Sequence, residues 1–214
     1  MELTEIKKNY RRIKKPIESR LREFALLGQT ADDNTLFAEL CFCLLTPQSK
    51  ARSCWDAVCL LKKDGSLFCA DPEVMAKTLI KRTRFHKTKS WHINRARKLF
   101  LKNGKMEIRR RLSAKKNALL IRKWLVTNVK GLGFKEASHF LRNIGMGKNL
   151  AILDRHVLKN LQGLKVISEI PDSLTEKRYL EIENRMRRFA EKIRIPLSHL
   201  DFVLWHKETE DIFK

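Results

Sequence analysis

The chain has 214 residues and a formal net charge of +22, set by 46 lysines and arginines against 24 aspartates and glutamates. That length allows one or two modest cores, and so large an excess of cation implies a polyanionic partner, of which nucleic acid is the simplest. The basic residues are interleaved with periodic apolar ones instead of gathered in a polar tail, and there is no apolar leader or run of membrane length, so a soluble intracellular protein is expected.

In chain order, Ile6, Tyr10, Ile13, Ile17, Leu21 and Phe24 recur at helical spacing and predict a packing helix, interrupted or kinked near Pro16. Asp32, Asp33 and Asn34 offer a cap for a very apolar helix through Leu36, Phe37, Leu40, Cys43 and Leu44. Thr46-Pro47-Gln48-Ser49 ends that helix and opens another, with Ala51, Cys54, Val58 and Leu61 inward. A weaker helix follows Asp71-Pro72. The run Arg82 to Lys89 sets basic residues around Phe85, a pattern suited to a phosphate-lined surface with a stacking face, or to a phenylalanine buried at a helix start. The next helix carries Trp91, Ala96, Leu99 and Phe100, with Arg95, Arg97 and Lys98 expected outside. Arg109 to Arg111 and Lys115-Lys116 read as solvated faces that contribute nonspecific attraction.

Two helices then flank a tight turn. Leu120, Trp124 and Leu125 precede Lys130-Gly131-Leu132-Gly133, and Phe134, Ala137, Phe140 and Leu141 follow it, which is a helix-hairpin-helix pattern. Gly131 and Gly133 are expected to adopt backbone angles closed to other residues and to leave the amides at the next helix start open to a phosphate. Such a seat grips nucleic acid without reading its sequence. A glycine that only caps one helix before the next is the alternative. Lys135 lies in the first turn after the hairpin. As an amine nucleophile it must be free of its proton, and the helix dipole, worth roughly 0.3–1 kcal/mol, is too weak to achieve that without burial in a closed pocket. A solvated or phosphate-contacting lysine is the plainer reading. Asp154, at the end of Ala151-Ile152-Leu153, is placed to cap the helix that resumes at Val157, and a capping carboxylate beside a pocket can also stabilise developing positive charge.

Beyond it, Gln162 to Pro171 reads as a loop, Ser173-Leu174-Thr175-Glu176 fits a capping box, and Tyr179, Ile182, Met186, Phe189 and Ile193 form a long amphipathic helix. Pro196 opens a last helix with Leu200, Val203, Leu204 and Trp205. No stretch alternates at period two, so the fold is expected to be all-α. The five cysteines, Cys41, Cys43, Cys54, Cys59 and Cys69, are odd in number and lie in helical surroundings, which predicts reduced, buried thiols. The six histidines are scattered, and none pairs with another ligand at metal spacing.

The run Gly131 to Asn143, followed by Ile152-Leu153-Asp154-Arg155-His156, resembles the helix-hairpin-helix DNA glycosylases, and among them the small archaeal and bacterial class of 8-oxoguanine DNA glycosylase/lyase. The likeness extends from the segment Leu40 to Thr46 to the last residue. It implies two helical lobes with the hairpin at the cleft between them. Residues 37–147 would form the central bundle, and 1–36 with 148–214 the second lobe. In that family Lys135 would attack the sugar and form a Schiff base while Asp154 stabilises the cationic sugar. Gln48 would fill the gap left by an extruded nucleotide and Phe85 would pack on the extruded base. The class also ends on a lysine at the spacing from a tryptophan found between Trp205 and Lys214, and both help hold the oxidised base. The implied partner is double-stranded DNA containing oxidised guanine, bound by an intracellular, nucleoid-associated monomer. No metal or organic cofactor is implied, since the chain end lacks the cysteines of iron–sulfur relatives. Glu208, Glu210 and Asp211 are more acidic than that class leads one to expect, which leaves open the same lyase chemistry on another damaged base. A noncatalytic hairpin module that only contacts phosphates is the rival from another class, and Lys135 together with Asp154 argues against it.

Overall fold

A computed structural model describes residues 3–209 and 211–214, and the side chains of residues 208 and 209 fall outside that description. The chain folds as α1 (Leu3–Thr30), α2 (Asp33–Leu45), α3 (Ala51–Lys63), α4 (Ser66–Cys69), α5 (Pro72–Leu79) and α6 (His86–Phe100), followed by a minimal antiparallel pair, β1 (Leu101–Lys102) and β2 (Lys105–Met106). Then come α7 (Ile108–Ser113), α8 (Ala118–Asn128), α9 (Phe134–Asn143), α10 (Arg155–Gly163), α11 (Glu176–Ile193) and α12 (Leu197–Thr209). The class is all-α. Among the described residues, no helix is long and apolar enough to cross a membrane.

Local signals fix most helix starts. Asp32 caps α2 by accepting from Thr35 N at 2.8 Å, and Asn117 caps α8 by accepting from Leu120 N at 3.0 Å. α1 runs unbroken past Pro16, because its apolar stripe of Ile6, Ile13, Ile17 and Phe24 stays buried on one face and outweighs the lost hydrogen bond. The cap of α11 is Thr175, not Ser173; both are hydroxyl residues, and the later one accepts from Arg178 N at 3.3 Å.

Two apolar cores result. One runs from Leu36 to Leu150 and is built on α2, which is buried on every side. The other combines α1 with Ala151 onward, through α10, α11 and α12. α1 packs on both α9 and α12, so it ties the two together. Several expected surface groups are structural instead. Arg97 is buried and donates to Asn94 Oδ1 at 2.8 Å, while Arg109 donates to Gly28 O and Ala31 O and so pins the end of α1. Of the cysteines, Cys41, Cys43 and Cys54 are buried thiols, whereas Cys59 and Cys69 are exposed, on outer turns of α3 and α4.

Candidate active site

The hairpin between α8 and α9 is shaped by its backbone. Val129 N donates to Leu125 O at 2.8 Å and Leu132 N turns back to Val129 O at 3.1 Å. Gly131 sits at φ +89°, and a Cβ there would lie 2.1 Å from His92 Nδ1, so conformation and space both demand glycine. Gly133 is different. Its φ of −90° and ψ of −179° are extended angles open to any residue, so the expectation of forbidden angles at both glycines holds for Gly131 alone. Gly133 supplies room and an amide: its N–H donates to Glu136 Oε2 at 3.3 Å, and a Cβ would meet that oxygen at 3.0 Å.

Glu136 therefore does two things at the start of α9. One oxygen takes the hairpin amide, and the other, Oε1, lies 3.7 Å from Lys135 Nζ. The glutamate three positions after the helix cap was a readable signal, and it went unused in the sequence. Lys135 itself is in the first turn of α9 with its side chain 21 % exposed, so it faces an open cleft and not the closed pocket expected of it.

Asp154 caps α10, with Oδ1 accepting from Val157 N at 2.8 Å. Both Lys135 and Asp154 line one open cleft of about 1050 Å³. Gln48, Gly133, Trp205 and Lys214 line it too, so residues from the beginning, middle and end of the chain meet there.

Gln48 adopts φ +54° in the turn between α2 and α3. A lysine placed by sequence among phosphate contacts holds that turn: Lys89 is buried, and its ammonium donates to Leu45 O, Pro47 O, Ser49 Oγ and Thr83 Oγ1 at 2.7–2.9 Å. Burial draws its pKa from 10.5 down to about 8. Four oxygens are what make a lysine tolerable in that place. Phe85, at φ +56°, begins α6 as expected of a helix-start residue, but it is 54 % exposed and outside the cleft lining, with the Arg84 guanidinium 5.4 Å over its ring. Arg84 lines the cleft in its stead.

The C-terminal tail is held, not loose. Asp211 accepts from Arg52 Nε and Nη2 at 2.9 and 2.8 Å, Phe213 packs against the first core and Ile212 against the second. The acidity of Asp211 is thus explained by Arg52. Glu210 and the side chain of Glu208 lie outside the described residues. Lys214 directs its ammonium inward, to the Glu39 carboxylate and over the Trp55 ring at 3.5 Å from its centroid. Its charge is satisfied within the first core, and the residue also lines the cleft.

The cleft also has a polar floor that the sequence did not reveal. His139, Arg142 and Asp201 line it although each is more than nine-tenths buried. Arg142 Nη1 meets Asp201 Oδ2 at 2.8 Å, while burial pushes the Asp201 carboxyl up and the Arg142 guanidinium down against that mutual attraction. Burial, then Arg142 and Lys135, hold His139 well below the usual imidazole range, so its ring is neutral near pH 7.

Lobes joined along a cleft with a glycine hairpin opening onto it belong to the helix-hairpin-helix glycosylase class. The family described as 8-oxoguanine DNA glycosylase matches residues 17–195, and the chain belongs to that family. An 8-oxoguanine DNA glycosylase/AP lyase from Fusobacterium nucleatum is 41% identical over 98% of this chain and 96% of its own length. Among solved structures, the Methanocaldococcus jannaschii 8-oxoguanine glycosylase/lyase in complex with 15mer DNA containing 8-oxoguanine superposes with a TM-score of 0.88 at 32% identity, covering 99% of each chain. The 8-oxoguanine DNA glycosylase of Thermotoga maritima gives 0.87 at 33% identity, covering 99% of this chain and 98% of its own.

Proposed function

We propose that this chain excises 8-oxoguanine from duplex DNA and then cleaves the strand at the resulting site. The observation that carries the reading is the convergence of Lys135 and Asp154 on one cleft, together with family membership and relatives named for both activities. Residues 37–147 then act as the lobe bearing the hairpin and both chain ends as the other, in keeping with the change of apolar core between Leu150 and Ala151.

A base stacked in a duplex is out of reach of any side chain, so the nucleotide must leave the helix, at a cost of a few kcal/mol. The glycine hairpin around Gly131 and Gly133 seats the backbone, Gln48 fills the vacated space, and Trp205 offers the base a flat face within the cleft, while Phe85 stays exposed outside the cleft lining. Closure over Lys135 falls to the bound DNA. Lys135, as the free amine, bonds to the sugar C1′ while the glycosidic bond breaks and its electron pair leaves with the base, which takes up a proton. Opening of the sugar ring converts the adduct to a Schiff base. Loss of a proton from C2′ then expels the 3′ phosphate by β-elimination, and water releases Lys135. The Asp154 carboxylate stabilises the cationic sugar and assists the proton transfers. Nucleophile, counter-charge and proton carrier are all side chains, so the chemistry calls for no metal or organic cofactor. In this reading the protein works as a monomer on DNA inside the cell.

Sodium borohydride reduces a protein–DNA Schiff base to a permanent link. Wild-type protein is expected to be trapped on 8-oxoguanine duplex, and Lys135→Gln to bind the same duplex without trapping. Trapping of Lys135→Gln at the wild-type level would overturn the assignment.

A further inference from the structure

Asp154 is carried on a segment with no regular structure of its own. Residues 151–153 have neither helical nor ladder hydrogen bonds, yet Ala151 and Leu153 are fully buried, so their peptide groups need partners inside the protein. Two side chains on successive turns of α11 supply them. Ala151 N donates to Glu183 Oε2 at 2.8 Å, Tyr179 OH donates to Ala151 O at 2.7 Å, and Leu153 N donates to the Tyr179 oxygen at 3.3 Å.

The same pair reaches the other side of the cleft. Glu183 is gripped by Arg122 of α8 through Nη1 at 2.7 Å and Nη2 at 3.0 Å, and Arg122 also donates to Ser138 Oγ of α9 at 3.1 Å. The Tyr179 ring lies 5.5 Å from that of Phe134, the neighbour of Lys135, and the Arg122 guanidinium sits 5.3 Å over Phe134. Arg122, Tyr179 and Glu183 are each at most 2 % exposed. A buried ion pair is a poor source of stability, since well-packed apolar residues serve as well, but it is strict about geometry. Burial also pushes the Tyr179 phenol above its usual range, so the hydroxyl keeps the proton it donates.

We propose that Tyr179, backed by the Arg122–Glu183 pair, is a positioning residue that sets the separation of Asp154 from Lys135 across the cleft. This rests on the catalytic reading of those two residues. Tyr179 touches the segment entering Asp154 through its hydroxyl and the residue entering Lys135 through its ring, so the two contacts can be separated experimentally.

The test is a double-mutant cycle on single-turnover excision of 8-oxoguanine, combined with DNA affinity and thermal unfolding. Tyr179→Phe keeps the ring and removes the hydroxyl; it should slow excision roughly ten- to a hundredfold, the scale of a misplacement of about 1 Å, with duplex affinity unchanged. In an Asp154→Asn background the same substitution should cost less than about twofold, because the residue it acts through has already lost its charge. Glu183→Gln retains an acceptor for Ala151 N but no charge for Arg122, and should slow excision in the same way. Full activity of both Tyr179→Phe and Glu183→Gln, or an equal loss in both backgrounds, would overturn the proposal. Wild-type protein that leaves the lesion intact, or Asp154→Asn as active as wild type, would overturn the functional reading and this inference with it.

Discussion

Lys135 is placed by backbone, through Gly131 at φ +89° and the first turn of α9, whereas Lys214 is placed by side chains, through Glu39 and the aromatic rings beneath its ammonium. The hairpin's backbone constraints lie within a few residues of one another, with His92 on α6 as the distant contact at Gly131. The tail's come from across the molecule: Lys214 and Glu39 are 175 positions apart, and Asp211 and Arg52 are 159 apart. A feature fixed by a dihedral angle and a steric contact is kept or lost as a unit. One held by ion pairs can be weakened in steps, and salt acts on its exposed members first.

The largest effect is expected where the hairpin meets its counterpart across the cleft. Asp154→Asn retains an oxygen for the Val157 amide, so α10 should keep its cap and the protein its melting temperature, while base release slows by at least about a hundredfold for want of the charge. Near-normal excision by this variant would reduce Asp154 to a structural cap, and the hairpin side of the comparison would lose its chemistry.

Next in size is removal of Lys214. Glu39 is 1% exposed in this pair, and although Asn143 still donates to it at 3.2 Å, an orphaned buried carboxylate costs on the order of 3 kcal/mol. Residue 214 is also lost from the cleft lining. Excision of 8-oxoguanine should therefore fall, while cleavage of a preformed abasic site suffers much less, since in the proposed mechanism Lys135 needs no base there. Lys214→Met separates the two causes, because it removes the ion pair and leaves the chain end the same length. The readout is the ratio of the two activities at a temperature where each variant is folded. An unchanged ratio on deletion would mean that the tail plays no part in recognising the lesion.

The two glycines test the backbone side. Gly131→Ala must hold a left-handed angle and move His92 aside, which should destabilise the protein by about 2 kcal/mol and weaken duplex binding. Gly133→Ala needs only a small shift of the Glu136 carboxylate, and a change of roughly 0.5 kcal/mol is expected. Equal melting temperatures for the two variants would contradict the account of the hairpin.

That difference between neighbouring glycines marks how far the sequence could be read. The hairpin, the capping aspartate and the apolar stripes were legible because each depends on residues within a turn or two. Glu39, Lys89, Arg122 and Glu183 were not, since a buried charge looks like a surface charge until its partner is known, and those partners lie far along the chain; Arg122 and Glu183 are 61 positions apart. Phe85 shows the limit from the other direction. Its basic surroundings drew attention to the right turn, yet Arg84 is the neighbour that lines the cleft and Lys89 the one that holds the Gln48 turn from beneath.

The smallest effect expected is at the outer anchor of the tail. Arg52 is 67% exposed and Asp211 26%, so their ion pair contributes at most about 1 kcal/mol, equivalent to about fivefold in an equilibrium between docked and undocked tail. The apolar anchors remain in Asp211→Asn, with Phe213 on the first core and Ile212 on the second. The substitution should lower the ratio of excision to abasic-site cleavage by less than about fivefold at low salt, and the deficit should shrink as salt is raised, because screening removes from the wild type what the variant already lacks. Affinity for undamaged duplex should hold or rise, since one negative charge has been taken from the rim of the cleft. A deficit as deep as that of the Lys214 deletion, or one that salt leaves untouched, would show that Asp211 meets the DNA or the base directly and that the tail is not held in two graded steps.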